Sequence, residues 1–257
     1  MNMNVWNKIK GHPSLAQGTA YAILFTMGTC HLLNDMIQSV IPALYPLLKD
    51  LYGFTFAQIG LITLVFQLTS SIFQPFIGLY ADRHPQPYSL SLGMCFTLVG
   101  LLALAFSSDF LLILVSVALI GCGSSVFHPE ASRVAQMASG GRKSLAQSIF
   151  QVGGNGGSAV GPLLAALIVI PYGQHAVGWF ALAALLASFL LARVGYWYSL
   201  MLREIKTFHR KAQAATSSLP RKTVRVALGI LVLMIFSKYF FNACMTSYFT
   251  FYLMDKF

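Results

Sequence analysis

Long apolar runs alternate with short polar gaps along the chain. Each run has about 18 to 30 residues, which reaches the roughly 20 that a helix needs to cross a bilayer. The pattern therefore predicts an all-α integral membrane protein with seven transmembrane helices. The runs cover residues 20–48, 56–80, 89–106, 110–137, 146–170, 176–198 and 224–253.

The composition agrees with a membrane protein and excludes an ordinary soluble domain. Hydrophobic residues make up 56% of the chain, charged residues make up 9%, and the mean hydropathy is +0.68. Soluble domains have about 25% charged residues. We therefore expect the lipid bilayer to surround most of the chain.

The basic residues are distributed unevenly over the gaps, so the net charge of +10 carries topological information. One set of alternate gaps collects Lys and Arg, whereas the other set holds Lys49 and Lys256. By the positive-inside rule, we expect the first set and the N-terminus to lie in the cytoplasm. We interpret its basic segment 203–225 as a cytoplasmic loop and not as a nucleic-acid-binding surface. The first set comprises Lys8, Lys10, Arg83, Arg133, Arg142, Lys143 and residues 203–225.

Motifs of enzymes and metal sites are missing from the sequence. It has no nucleophile elbow, no phosphate-binding Gly-Lys-Ser loop and no metal-ligand spacing. Its four cysteines lie inside apolar runs, and none belongs to a Cys-x-x-Cys pair. We therefore predict that the protein is not an enzyme and has no cofactor, no disulfide and no metal site.

Polar residues inside the first run are candidates for function, because such residues are costly in a membrane. Asp35 lies near the middle of this run, and His31 and Asn34 precede it. His31 and Asp35 are four residues apart, so they share a helix face and could form one titrating pair. Two interpretations stay open. Asp35 either serves proton coupling or substrate binding, or it makes a structural hydrogen bond to its neighbours.

Ionisable residues also occur in the fourth and seventh runs. His128, Glu130 and Arg133 lie toward the cytoplasmic end of the fourth run. Glu130 and Arg133 are three residues apart, so they either neutralise each other or form a gate or second protonation site. Lys238 lies near the middle of the seventh run, where it needs a partner such as Asp35 or an anionic substrate.

A glycine-rich stretch lies inside the fifth run. Each Gly costs a soluble helix about 1 kcal/mol and Pro about 3 kcal/mol, but small residues in a membrane let two helix backbones approach closely. Gly153, Gly157 and Gly161 repeat every four residues and share one face. Neighbouring groups can satisfy the carbonyl that Pro162 leaves free. The spacing predicts a tight helix crossing.

Several stretches resemble the major facilitator superfamily of transporters. The loop 78–83 is similar to its Gly-x-x-x-Asp-Arg signature, although His84 and Pro85 stand where a Gly and a basic residue are usual. The segment 157–162 resembles the fifth-helix motif of the proton-driven antiporters in that superfamily. Four other stretches resemble bacterial drug-efflux members, namely residues 31–36, 124–130, 147–154 and 236–240.

The resemblance implies a particular organisation of the chain. In that superfamily, two six-helix halves enclose the substrate site. Residues 1–200 are then an N-terminal six-helix bundle, 201–223 a basic cytoplasmic linker, and 224–257 the first helix of an incomplete C-terminal bundle. We therefore expect a chain truncated after its seventh helix, with the missing C-terminal half as a partner.

The resemblance also implies a function. It is proton-coupled efflux of small drugs, phosphonates among them, across the bacterial inner membrane by alternating access. Two alternatives remain open, namely transport of another small organic anion and a fragment that does not transport. The resemblance implies that a gating loop contains Gly78, Asp82 and Arg83. It also implies that an antiporter-type motif contains Gly153, Gly157, Gly161 and Pro162.

Overall fold

The computed structural model describes residues 18–209 and 220–256, and all of their regular structure is helical. This confirms the predicted all-α class. Lys8, Lys10, Arg210 and Lys211 lie outside the described residues. The helices are α1 Tyr21–Ala43, α2 Tyr45–Tyr52, α3 Phe56–Gln67, α4 Phe73–Arg83, α5 Ser89–Ala105, α6 Phe110–Met137, α7 Lys143–Leu164, α8 Phe180–His209 and α9 Arg221–Lys256.

Short irregular helices join the longer ones. A π-helical segment, Leu68–Ile72, connects α3 to α4 within the second apolar run. Between α7 and α8 lie a π-helical segment Ala165–Val169, one α-helical turn Ile170–Tyr172 and a 3₁₀ helix Gln174–Trp179. The first of these comes three residues after Pro162. Insertions into the helical ladder are common next to a proline, which removes a backbone donor.

The first apolar run forms two helices. α1 ends at Ala43, directly after Pro42, and α2 begins at Tyr45 with Pro46 in its first turn. A proline is tolerated in the first turn of a helix, where its missing N–H would have no partner. The two prolines therefore explain the break, which the apolar pattern alone did not predict.

Four helices in the described chain are long and apolar enough to cross a membrane. The apolar runs predicted seven transmembrane helices, so the three that are not among these four stay predictions. The helix Ser89–Ala105 is apolar but shorter, and α1 has four polar side chains in its middle that lower its hydropathy. The four helices are Phe56–Arg83, Phe110–Met137, Lys143–Tyr172 and Gln174–Arg203. The four side chains of α1 that lower its hydropathy most are His31, Asn34, Asp35 and Gln38.

The chain divides into two compact units, Met1–Lys206 and Thr207–Phe257. The helix α8 continues to His209, beyond the expected end of the sixth run near residue 198. The first part of the expected linker 201–223 is therefore helical. The second unit contains the end of α8 and α9, and α9 begins at Arg221.

The first unit is organised around two extensive helix crossings, α1 with α7 and α5 with α6. Glycines make the second crossing close. A Cβ at Gly100 would lie 2.8 Å from the carbonyl oxygen of Ser116, and one at Gly123 would meet the carbonyl oxygen of Gly93. No pattern in the sequence predicted this crossing. The α1–α7 crossing carries the candidate site.

Candidate functional site

The glycine face of α7 packs against the backbone of α1. A Cβ at Gly153 would meet the carbonyl oxygen of Gly28, and one at Gly157 would meet that of Leu32. A Cβ at Gly161, further along the same face, would meet the carbonyl oxygen of Met36. The close crossing expected from the glycine spacing is therefore present. Its partner helix, which the sequence did not identify, is α1.

Polar side chains of α1 and α6 meet beside this crossing. We call this group, formed by His31, Asn34, Asp35, Gln38 and His128, the histidine–aspartate cluster. Asp35 is its centre, with Oδ2 lying 3.3 Å from Nε2 of His31 and Oδ1 lying 3.8 Å from Nε2 of His128. The side-chain amides of Asn34 and Gln38 donate to Oδ1 over 3.0 and 3.4 Å. One carboxylate therefore contacts four polar neighbours.

The ring of His31 is held by α7. Its Nδ1 lies 2.7 Å from the carbonyl oxygen of Phe150, and a carbonyl can only accept a hydrogen bond. Nδ1 must therefore carry a proton. The ring also stacks on the ring of Phe150, with centroids 3.9 Å apart and an interplanar angle of 19°. These contacts leave Nε2 as the nitrogen that faces Asp35.

Access to the cluster differs between its members. His31 and Asn34 are buried, whereas the side chains of Asp35 and His128 are 18% and 27% exposed. Oδ1 of Asn34 is buried without a hydrogen-bond partner among the described residues. Asp35 and His128 are thus the titratable members that a proton or a polar substrate group can reach.

The cluster also has the composition of a metal site. The ligand atoms of His31, Asp35 and His128 all lie within 4.8 Å of one another, and two His with one carboxylate can hold a transition metal. However, Oδ1 of Asp35 already accepts from Asn34 and Gln38, and Gln38 also lies 3.4 Å from Nε2 of His128. A metal ion would have to displace these hydrogen bonds. The arrangement therefore does not favour a metal ion at these three residues.

A second group, which we call the arginine cluster, lies where the last turn of α4 meets α6. It consists of Ala81, Asp82, Glu130 and Arg133. Nη1 of Arg133 donates to the carbonyl oxygen of Ala81 over 2.6 Å and to Oε1 of Glu130 over 3.2 Å. Nη2 lies 3.0 Å from Oδ1 of Asp82. Gly78, Asp82 and Arg83, which were expected in a gating loop, lie in the last turns of α4 instead. Arg133 thus joins this end of α4 to the end of α6.

Glu130 is the buried member of the arginine cluster. Its side chain is 2% exposed, and its Oε2 has no hydrogen-bond partner among the described residues. It borders a cavity of about 190 Å³ lined also by Ile77, Tyr80 and Phe96. Sites for drug-sized molecules measure about 300–1,000 Å³. This cavity is thus too small for such a ligand.

The structure separates residues that the sequence grouped together. His128 joins Asp35, whereas Glu130 and Arg133 join Asp82. Gly78 faces Pro129, whose Cβ would be 3.6 Å from an added Cβ, so a side chain would fit there. Lys238 lies in α9 of the second unit. Its expected pairing with Asp35 or a substrate stays a prediction.

Three members of the site were missed in the sequence. Gln38 could have been found, because it lies three residues after Asp35 and seven after His31 on the same helix face. The carbonyl group of Phe150 gives no sequence signal. Gly154 was read as part of a glycine-rich stretch. In the structure, a Cβ there would lie 2.6 Å from Nε2 of His31.

Two curated proteins are similar to the chain in sequence. It is 56% identical to the fosmidomycin resistance protein of Escherichia coli (strain K12) over 239 residues, which is 93% of this chain and 58% of that protein. It is 42% identical to the uncharacterized MFS-type transporter YfnC of Bacillus subtilis (strain 168) over 93% of the chain and 59% of that protein. The chain thus spans less than two thirds of the length of each.

Solved transporter structures share the fold. A crystal structure of the peptide transporter POT in complex with sulfate matches 91% of this chain and 48% of its own chain, with a TM-score of 0.58 and 18% identity. The E310Q mutant of that transporter, also in complex with sulfate, matches 87% of this chain with a TM-score of 0.57. Identities this low support the fold alone. The profile of the Major Facilitator Superfamily matches residues 27–257, and the chain therefore belongs to that superfamily of membrane transporters.

Proposed function

We propose that the chain is the N-terminal part of a proton-coupled transporter that exports small drugs related to fosmidomycin. The observation that carries the proton coupling is the contact between Asp35 and His31, 3.3 Å apart on one face of α1. The substrate class rests on the 56% identity to the fosmidomycin resistance protein. Export then follows alternating access between two helix bundles, one of which is formed by α1–α8.

The two clusters would have different tasks in this cycle. The histidine–aspartate cluster is partly accessible and contains three titratable groups, so it would take up and release the coupled proton. In the arginine cluster, Arg133 connects Asp82 at the end of α4 to Glu130 on α6. These ion pairs would stabilise one of the two conformations of the transporter. Breaking these ion pairs would be part of the switch to the other conformation. Both tasks move a proton or helices and not the bonds of a substrate, so the proposed role is transport and not catalysis.

The distribution of basic residues supports the proposed location. Arg83 and Arg142 lie at the ends of α4 and α7 in gaps of the basic set. The positive-inside rule assigns these gaps and the N-terminus to the cytoplasm, with the helices in the inner membrane. The remaining length of the relatives would supply the second bundle as the partner of this chain.

The alternative function is transport of another small organic anion. Lys238, near the middle of α9, favours an anionic substrate, and phosphonates are one example of this chemistry. Replacing Lys238 by Ala should weaken substrate binding and leave proton uptake intact, because it removes a cation from surroundings where charges are poorly screened. A panel of organic anions competing with fosmidomycin for binding would distinguish the two substrate classes.

A fusion experiment tests the proposal. The chain is joined to the C-terminal region of the Escherichia coli relative and expressed in a strain that lacks its own fosmidomycin resistance protein. We expect lower susceptibility to fosmidomycin, and drug efflux from vesicles that stops when an uncoupler removes the proton gradient. Efflux that continues without a gradient would refute proton coupling. An inserted fusion that exports another anion but not fosmidomycin would refute the substrate assignment.

A further inference from the structure

One wall of the histidine–aspartate cluster is the backbone of α7. The carbonyl oxygen of Phe150 accepts from Nδ1 of His31 over 2.7 Å. One turn later, Gly154 faces the other side of the same contact, since an added Cβ would lie 2.6 Å from Nε2 of His31 and 2.9 Å from Oδ2 of Asp35. The contact between His31 and Asp35 therefore occupies the space that a side chain at position 154 would need.

The hydrogen bond to Phe150 determines how many protons the pair holds. Because Nδ1 is protonated, a neutral His31 has only a lone pair on Nε2. Facing an ionised Asp35 at 3.3 Å, that lone pair would meet a carboxylate lone pair with no hydrogen between them. One additional proton removes this conflict. It resides either on Nε2, giving an imidazolium beside a carboxylate, or on Oδ2, giving a neutral pair, and the proton count is the same.

We propose that His31 and Asp35 share a single proton and that Gly154 is the positioning residue on α7 that makes this shared site possible. The inference rests on the proposed proton coupling and specifies its binding site. It also links the site to the helix crossing, because α7 supplies both the carbonyl of Phe150 and the gap at Gly154. A rotation or displacement of α7 against α1 would alter the proton site directly.

The groups that face the pair from other helices are compatible with this assignment. From α6, the titratable His128 lies 3.8 Å from Oδ1 of Asp35. This oxygen is not the one that faces His31, which is Oδ2. From α7, the facing groups are the Phe150 carbonyl and Gly154, neither of which titrates. Asn34 and Gln38 on α1 donate to Oδ1. Oδ2 is thus left for the shared proton.

Gly154 differs from its neighbours in what an added methyl group would contact. At Gly153 and Gly157 the obstacle is the backbone of α1, so a substitution there must separate the helices. At Gly154 the obstacles are the ends of the two side chains, which can move. At Gly156 the nearest atom is Cδ1 of Leu32 at 3.6 Å, which is ordinary contact. The change Gly154→Ala should therefore displace the pair within a folded protein, with Gly156→Ala as its matched control.

The test is a pH titration of the histidine ring nitrogens by ¹⁵N NMR, using the purified chain in lipid nanodiscs. His31→Gln identifies the His31 signals. We expect Nδ1 to stay protonated across the titration. The Nε2 signal should change with a midpoint that Asp35→Asn alters, because the shared proton leaves either Nε2 or the oxygen that faces it. Gly154→Ala should change this midpoint as well, because an added methyl group would displace the ring of His31 from the carboxylate of Asp35. Gly156→Ala should leave it in place.

The outcomes separate this inference from the proposed function, because the titration requires no transport. A His31 ring that titrates identically in the wild type and in Asp35→Asn would overturn the shared proton. Equal midpoints in Gly154→Ala and Gly156→Ala would overturn the positioning role. If Gly154→Ala does not fold, the comparison with Asp35→Asn still decides whether the proton is shared. Absence of drug efflux together with the expected titration would contradict the proposed function and support the shared site.

Discussion

Nη2 of Arg133 on α6 lies 3.0 Å from Oδ1 of Asp82, which belongs to the last turn of α4. The side chain of Asp82 is 71% exposed, so this ion pair alone contributes little to stability. The same guanidinium, however, is bonded to Glu130, whose side chain is 2% exposed. One arginine therefore neutralises a buried acid and anchors the exposed end of α4.

Replacement of Arg133 by Met should destabilise the first unit strongly. It leaves the buried carboxylate of Glu130 without its partner, and breaking a buried pair in this way costs about 3–5 kcal/mol. Adding Glu130→Gln should recover most of the loss, because the neutral amide needs no counter-charge. Thermal unfolding in detergent of the single and double variants measures both effects.

Two controls separate the buried pair from surface charge. Asp82→Asn removes only the exposed partner and should cost no more than about 1 kcal/mol. Arg142→Met removes an exposed arginine that donates to the hydroxyl of Tyr21 over 3.2 Å, and it should behave like Asp82→Asn. If all three variants unfold at the same temperature, Glu130 does not depend on Arg133.

The sequence predicted the fold better than the site, because the two depend on different kinds of information. The helices are predicted from the length of each apolar run, and this length is a property of one continuous segment. The site joins residues far apart in the chain, such as Gln38 with His128 and His31 with Phe150, which are 90 and 119 positions apart. His128 and Glu130 were grouped because they are close in sequence, but residues two apart do not share a helix face.

The glycine face illustrates the same limit. Regular spacing predicted that Gly153, Gly157 and Gly161 meet another helix, and the spacing is a property of one segment. The identity of that helix, and the different surroundings of Gly154, depend on how α1 lies against α7. No pattern within either helix contains this information.

The change Gly157→Leu should push α7 away from α1. A Cβ at this position would already lie 2.8 Å from the backbone nitrogen of Met36, so a larger side chain cannot be accommodated without separation of the helices. Overpacking of this kind typically costs about 1–3 kcal/mol, occasionally more. We expect loss of drug resistance in the fused transporter while membrane insertion is retained.

The control for this variant is Gly156→Leu on the same helix. An added Cβ there has only the Leu32 side chain within 4 Å, so the fused transporter should keep its activity. Drug susceptibility and the amount of inserted protein are measured for both variants. Full resistance with Gly157→Leu would show that the α1–α7 crossing is not needed for transport.

The proposed orientation predicts the behaviour of alkaline phosphatase fusions, since this enzyme is active only outside the cytoplasm. A fusion after Arg142, which directly precedes α7, should be inactive. A fusion after Gly173, at the other end of this segment, should be active, because about 30 helical residues are more than enough to cross the bilayer. The reverse pattern would place the N-terminus outside.

The proposed binding of a proton in place of a metal ion predicts insensitivity to chelators. Washing vesicles that contain the fused transporter with EDTA should leave proton-driven efflux unchanged, because Asn34 and Gln38 already occupy Oδ1 of Asp35. Loss of efflux that zinc restores would assign His31, Asp35 and His128 to a metal site instead.

The change Asp35→Asn should uncouple substrate binding from the proton gradient. The amide has nearly the same shape as the carboxylic acid and can donate to Nε2 of a neutral His31, so the α1–α7 contact is kept while the titrating group is lost. The fused transporter should still bind and exchange drug but no longer concentrate it against a gradient, as measured in vesicles with and without a pH difference. Asp109→Asn is the matched control, because Asp109 caps α6 through the N–H of Leu112 and Asn caps equally well. Uphill efflux that persists in Asp35→Asn would place the coupling site elsewhere, and Glu130, buried with one unpaired oxygen, would be tested next.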